Sequence, residues 1–202
     1  FGDGTFFEYD DDKTWTGYNS TEYDLHQWIA RLDGMSGKLI DKAPIPDEYI
    51  DDGPMAAQFG VGFLDGKKPS LVAVMKNRKD DKTHAFQMQI CAYSVVNGSL
   101  IMDWQWKARD ESISLPEGHQ FRICDVDFDG KDEILEIGFC LNGDGTLRYT
   151  LAPYGVNHGD RFYVGKFNSG DNFMSGYGIT QLNDEKLWEY CYNASTGEML
   201  WR

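Results

Sequence analysis

Asp125, Asp127, Asp129 and Glu133 place four carboxylates on one short stretch, Asp125-Val126-Asp127-Phe128-Asp129-Gly130-Lys131-Asp132-Glu133, with Gly130 positioned for a sharp turn. Calcium takes roughly six to eight hard oxygen ligands, and alternate acids followed by a glycine suit a loop that wraps one. The expected ligands are Asp125, Asp127, Asp129, the Lys131 carbonyl and Glu133. Without a cation the same stretch would be a solvated acidic turn. Glu136 falls at the twelfth position, so the stretch also satisfies the EF-hand pattern. Its flanks, Phe121-Arg122-Ile123-Cys124 and Ile134-Leu135-Glu136-Ile137, are short and apolar and bounded by Gly118 and Gly138, which predicts strand, loop, strand rather than two helices.

Histidine is the other candidate for chemistry, because its proton exchanges near neutral pH. His26 and His84 sit at a strand start and in a polar loop and read as surface residues. His119 and His158 each follow a polar or glycine-containing turn and precede a strand, in Pro116-Glu117-Gly118-His119 and Val156-Asn157-His158-Gly159-Asp160. Equivalent turns of a repeated unit open on one face, so the two imidazoles can converge for acid and base work. The bland alternative is two exposed loop histidines.

The elements that must position these residues are strands. Phe, Trp and Tyr make up 14% of residues, glycines number 22, and helical periodicity is almost absent, so the chain reads as all-β. An apolar strand, a turn ending in glycine and an outgoing strand recur at Gly37, Gly98, Gly145 and Gly197, about every 50 residues. Between them lies a second hairpin: Phe59 to Val74, Phe121 to Ile137, and Phe162 to Ile179. Two hairpins per unit make four strands, which predicts β-propeller blades, approximately 1–40, 41–106, 107–151 and 152–202, within one partial propeller domain spanning 1–202. A longer polypeptide is expected to supply the remaining blades, since an open arc exposes strand edges; a small closed ring is the alternative.

The formal charge is −14, from 19 basic and 33 acidic side chains, which argues against nucleic acid or an anionic membrane as partner. No apolar run approaches the roughly 20 residues of a membrane span, so membrane insertion is not expected. The balance suits a secreted protein whose acids are partly neutralised by divalent cations. The chain begins at Phe1 and reads as a mature, trimmed or partial sequence. The acidic opening, Phe1 to Ser20 with Asp10-Asp11-Asp12, reads as solvated surface. Cys91, Cys124, Cys140 and Cys191 form no Cys-x-x-Cys pair, which lowers a structural zinc site; Cys124 and Cys140 could face one another, but buried thiols are expected.

Gly118-His119, the run from Cys124 to Ile134, His158-Gly159-Asp160 with Val164-Gly165, Leu64 to Val72 and Ser195 to Trp201 together resemble the rhamnogalacturonan lyases built on an eight-bladed propeller. The resemblance runs from about Tyr23 to Trp201. It implies a secreted, calcium-dependent enzyme that cleaves the pectin backbone of alternating rhamnose and galacturonate by β-elimination, its partner being an acidic plant cell-wall polysaccharide. It further implies His119 and His158 at an active-site calcium, Asp160 helping to hold that metal, and a structural calcium in the loop from Asp125. Arg161 and Tyr163, on the same segment, are the expected substrate contacts. Gln181 stands where the family usually has a glutamate, and Tyr163 where a further histidine is common. Two alternatives to a lyase remain: a non-catalytic calcium-stabilised propeller, integrin-like or adhesin-like, that binds glycan or protein, and a propeller serving assembly alone.

Overall fold

The computed structural model describes residues 28–46, 56–80, 85–111, 115–183 and 186–202. His26, His84 and the acidic opening segment lie outside them. Among the described residues the chain is all-β: sixteen strands with two single 3-10 turns, and no helix long and apolar enough to cross a membrane. Strands β1 (Trp28–Leu32) and β2 (Leu39–Pro44) form a hairpin. β3 (Ala56–Gly62), β4 (Ser70–Asp80), β5 (Ala85–Val96) and β6 (Ser99–Lys107) form a four-stranded sheet in sequence order. β8 (Arg122–Cys124), β9 (Glu133–Glu136), β10 (Phe139–Leu141) and β11 (Leu147–Thr150) form a second. β13 (Phe162–Gly165), β14 (Ser175–Asn183), β15 (Lys186–Asn193) and β16 (Met199–Trp201) form a third. In each sheet the first hairpin pairs with the hairpin that follows it. β7 (Glu117–Gly118) and β12 (His158–Gly159) form a short parallel bridge of their own.

The recurring turn has a physical signature. Gly37, Gly98, Gly145 and Gly197 take φ of 67°, 85°, 85° and 76°, the left-handed region that side chains with a Cβ avoid. In three of the turns the glycine N–H closes the loop: Gly37 N–H donates to Asp33 O at 2.8 Å and Gly197 N–H to Asn193 O at 2.8 Å, each four residues back, and Gly145 N–H to Asn142 O at 2.9 Å, three residues back.

Two compact units emerge, residues 1–57 with 73–109, and 58–72 with 110–202. The first buries Ile29, Val74, Ile90, Tyr93, Leu100 and Trp106. Tyr93 Oη donates to Pro44 O at 3.3 Å, and Gln89 Nε2 to Pro46 O at 3.0 Å. β2 ends at Pro44, past the boundary of 40/41 drawn from sequence.

In the second unit β9 and β10 are buried at every position, so both faces of their sheet are covered. One face meets Tyr190 and Tyr192 of β15 around a core of Leu135, Ile137, Cys140, Leu151, Val156 and Phe162. The segment 58–72, assigned from sequence to the second repeat, contributes β3 and the start of β4 to that repeat's sheet and also packs with this unit. The cause is local: a Cβ on Gly62 would lie 2.3 Å from Ile123 Cγ2, so only glycine lets β3 approach this closely, and Phe63 N–H donates to Asp132 Oδ2 at 2.6 Å.

Tyr190 Oη donates to Ile137 O at 2.7 Å in a fully buried setting, joining the two sheets. Tyr190→Phe leaves that carbonyl without the hydroxyl and is expected to lower unfolding free energy by about 1 kcal/mol. Chemical denaturation of the complete protein checks this; no change in midpoint would mean the bond contributes nothing.

Candidate active site

The parallel bridge between β7 and β12 brings the two histidine turns together, pairing His158 with Glu117 and Gly159 with Gly118. Close approach is possible because both strands carry glycine. A Cβ on Gly159 would lie 2.4 Å from Ile179 O, and one on Gly118 would lie 2.8 Å from Gly159 O. Thr180, fully buried on β14, fixes the turn from beneath: its Oγ1 donates to His158 O and accepts Asn157 N–H, each at 3.1 Å. Gln58 Nε2 donates to His119 O on the other side.

The outcome is a cluster. The His119 and His158 rings meet edge to face with centroids 5.6 Å apart, and His119 Nε2 lies 3.6 Å from Asp160 Oδ1. His119, His158 and Asp160 each offer one ligand atom within 4.8 Å of the others. His158 Nδ1 lies 3.1 Å from Glu117 O and 3.3 Å from Glu117 Oε1. A carbonyl only accepts, so this contact selects the tautomer with the proton on Nδ1 and leaves the Nε2 lone pair for a proton or a metal. His119 and Asp160 are largely exposed, at 69% and 74% for their side chains, while His158 is held at 33%. The sequence alone did not single out Glu117, Thr180 or Gln58. Glu117 could have been found as the residue preceding Gly118 in the same turn.

This trio offers a hard cation one carboxylate oxygen and two imidazole nitrogens. That falls short of a calcium cage, which is built from oxygens. Gln181 follows Thr180 on β14. Arg161 and Tyr163 flank buried Phe162, Arg161 exposed and Tyr163 exposed on β13 opposite Tyr177.

The acid loop is a strand-loop-strand hairpin, β8 paired with β9, with Glu136 buried in β9, so the EF-hand geometry does not form. Asp125 accepts N–H bonds from Asp129 at 3.0 Å and Gly130 at 2.8 Å, and Asp129 Oδ1 accepts Lys131 N–H at 2.8 Å. Asp125, Asp127 and Glu133 converge, their ligand atoms within 4.8 Å of one another; Asp129 lies outside that trio. Glu133 is nearly buried and accepts Val126 N–H at 3.0 Å; burial pushes its carboxyl up to about 7, against that bond and Arg148. Asp127 Oδ1 is buried and has no hydrogen-bond partner among the described residues. A carboxylate trio with an orphaned oxygen and a reluctantly ionised member fits calcium.

One residue not anticipated from sequence already brings positive charge there. Arg148 on β11 pairs with Asp127 Oδ2 and, at 3.2 Å, with Glu133 Oε1, while its Nε donates to Ser195 O at 2.8 Å. Partial burial works against its charge, but the bond to Asp127 and the field of both acids hold the guanidinium above its usual range.

Residues 55–202 match the rhamnogalacturonan lyase family 11, C-terminal domain. The chain belongs to rhamnogalacturonan lyase family 11. Rhamnogalacturonan exolyase YesX of Bacillus subtilis is 30% identical over 148 residues, 70% of this chain and 22% of that protein. Rhamnogalacturonan endolyase YesW of the same organism is 29% identical over the same length and shares. The crystal structure of YesX superposes with a TM-score of 0.72 at 25% identity, over 86% of this chain and 29% of that one. That of YesW superposes with a TM-score of 0.73 at 24% identity, over 95% and 33%. This family 11 chain thus spans 22% of the length of the curated relatives it matches. The matched region contains both histidine turns, the acid loop and Arg148.

All four cysteines of the family 11 chain are free thiols, as expected for the buried ones. Burial, helped by Asp132, Glu133 and Asp125, pushes the Cys124 thiol up to about 12. Thiolate is the reactive form, so the folded protein should resist iodoacetamide at about pH 8 and label rapidly only in denaturant. Mass spectrometry checks this; fast labelling of Cys124 in the native state would contradict the burial.

Proposed function

We propose that this chain supplies the histidine turns of a β-eliminating active site that cleaves a rhamnogalacturonan backbone. The observation that carries the reading is the convergence of His119, His158 and Asp160 on a parallel bridge made for that purpose by two glycines. His158, with Nδ1 committed to Glu117, takes the proton from the carbon beside the uronate carboxylate on its Nε2. The electron pair of that C–H bond forms the new double bond, and the glycosidic C–O bond on the adjacent carbon breaks with its pair on the oxygen, which takes a proton from water. His119 and Asp160 complete the pocket wall, and Arg161, next along the chain, meets the uronate carboxylate, with Tyr163 two residues further on. The four-stranded sheets are blades of a partial propeller, with boundaries near 41–106, 107–151 and 152–202, and the longer protein completes an eight-bladed ring. Calcium in the loop of Asp125, Asp127, Asp129, Lys131 and Glu133 supplies structural positive charge. The protein acts outside the cell on an acidic plant cell-wall polysaccharide.

A second reading has its own support. The histidine cluster is open to solvent and short of oxygen ligands, and Gln181 is neutral, which suits a calcium-stabilised module that binds the glycan without turning it over. Incubating the complete protein with rhamnogalacturonan separates the two. Release of unsaturated uronate ends supports the lyase, whereas binding without such ends supports the module.

A further inference from the structure

His119, His158 and Asp160 offer two imidazole nitrogens and one carboxylate, with a ligand atom of each within 4.8 Å of the others. We propose that this trio is a site for a borderline divalent cation of the zinc class rather than for calcium, and that such a cation competes with the proton for His158 Nε2. The competition rests on the base role assigned above; the binding does not.

Donor chemistry decides the metal. Calcium is held by roughly six to eight oxygens, and the trio supplies only those of one carboxylate. Imidazole suits zinc, copper and nickel, and zinc is satisfied by three protein ligands with water in a fourth position. The spacing agrees. His119 Nε2 stands 3.6 Å from Asp160 Oδ1, too far for a hydrogen bond between them and close to the roughly 3.4 Å edge of a tetrahedron whose metal–ligand bonds are about 2.1 Å. The net charge of −14 attracts any divalent cation, so it raises the local concentration without choosing among them.

The surroundings of His158 are a second, independent mark of a metal ligand. A histidine that binds a metal through one ring nitrogen donates from the other to a carboxylate or a backbone carbonyl, which fixes its tautomer and ring orientation. Glu117 presents both to His158: Nδ1 lies 3.1 Å from Glu117 O and 3.3 Å from Glu117 Oε1. Thr180 Oγ1 holds the backbone of the same residue, donating to His158 O at 3.1 Å. His158 is thus a fixed, part-buried anchor, and the exposed side chains of His119 and Asp160 close on the cation from the solvent side. With Nδ1 committed, Nε2 is the nitrogen that His158 presents to either a cation or a proton, so the two exclude one another. Zinc therefore blocks proton abstraction, and calcium, which the trio does not hold, leaves it untouched.

The test uses the complete protein, kept in excess calcium so that the acid loop does not take up the titrant, with zinc chloride added in a calorimeter. His119→Ala and Asp160→Ala are each expected to weaken zinc binding by about a hundredfold or more, and Glu117→Gln by about tenfold. Circular dichroism confirms that each variant is folded. Zinc at saturation is expected to slow the release of unsaturated ends from rhamnogalacturonan at least about tenfold, and a zinc-selective chelator to restore it. Absence of zinc binding in excess calcium overturns the proposal, as does binding that His119→Ala and Asp160→Ala leave intact, or full lyase activity with zinc bound. The reading of turnover stands apart: a protein that binds zinc through the trio but never releases unsaturated ends keeps the metal site and loses the lyase. One that releases such ends while its zinc binding ignores the trio keeps the lyase and loses the metal site.

Discussion

In the complete protein, His158→Ala is expected to abolish detectable release of unsaturated uronate from rhamnogalacturonan while leaving the melting temperature nearly unchanged. The two halves of that statement have separate grounds. A positioned general base contributes roughly 10²- to 10⁴-fold to rate, and an elimination that also needs the uronate oriented loses more when its acceptor is removed. The fold, by contrast, holds this turn through backbone groups. His158 O accepts from Thr180, His158 pairs in register with Glu117, and Gly159 packs against Ile179, all of which alanine retains. The contacts of Nδ1 with Glu117 and the edge-to-face contact with the His119 ring are lost, at about 1–2 kcal/mol together. The variant therefore should lower kcat far more than it lowers stability. Full activity in His158→Ala would remove the catalytic role. A parallel fall in activity and melting temperature would make His158 a folding residue.

The sequence foretold the periodic features of the fold. The strands and turns repeat, and the glycine at each turn suits a positive φ that few residue types, Asn among them, adopt cheaply. The hairpin of the acid loop was legible because its apolar flanks and the glycine at its turn are encoded in consecutive residues. What was not legible came from partners distant in sequence. Arg148 lies on β11 and meets Asp127 only after the sheet folds, and an arginine on a strand carries no mark of the acid it will face. Thr180 reads as an ordinary β-branched strand residue, yet its buried hydroxyl holds the His158 turn. The placement of 58–72 against Phe121 and Ile123 depended on Gly60 and Gly62, which a periodicity reading treats as breaks in a strand rather than as contact surfaces. The histidine pair was anticipated from equivalent turns, but the bridge that carries it involves only two residues on each side, too short to leave a pattern.

Calcium is expected to raise the stability of the complete protein by about 2.7 kcal/mol at a hundredfold excess over Kd, following RT ln(1 + [L]/Kd). At roughly 2–4 °C per kcal/mol for a unit of this size, chelation should lower the melting temperature by about 5–10 °C. Asp127→Ala should remove most of that response, because it deletes one of three converging carboxylates and the one with an unpartnered buried oxygen. Arg148 makes the test discriminating. Its guanidinium already meets two of the three acids, so it offsets part of their mutual repulsion without any metal. Arg148→Gln should therefore destabilise the chelated protein more than the calcium-loaded one, widening the gap between them. A wild type indifferent to chelator, beside an Arg148→Gln variant that responds, would show that the guanidinium is the resident cation of the loop and that calcium is not.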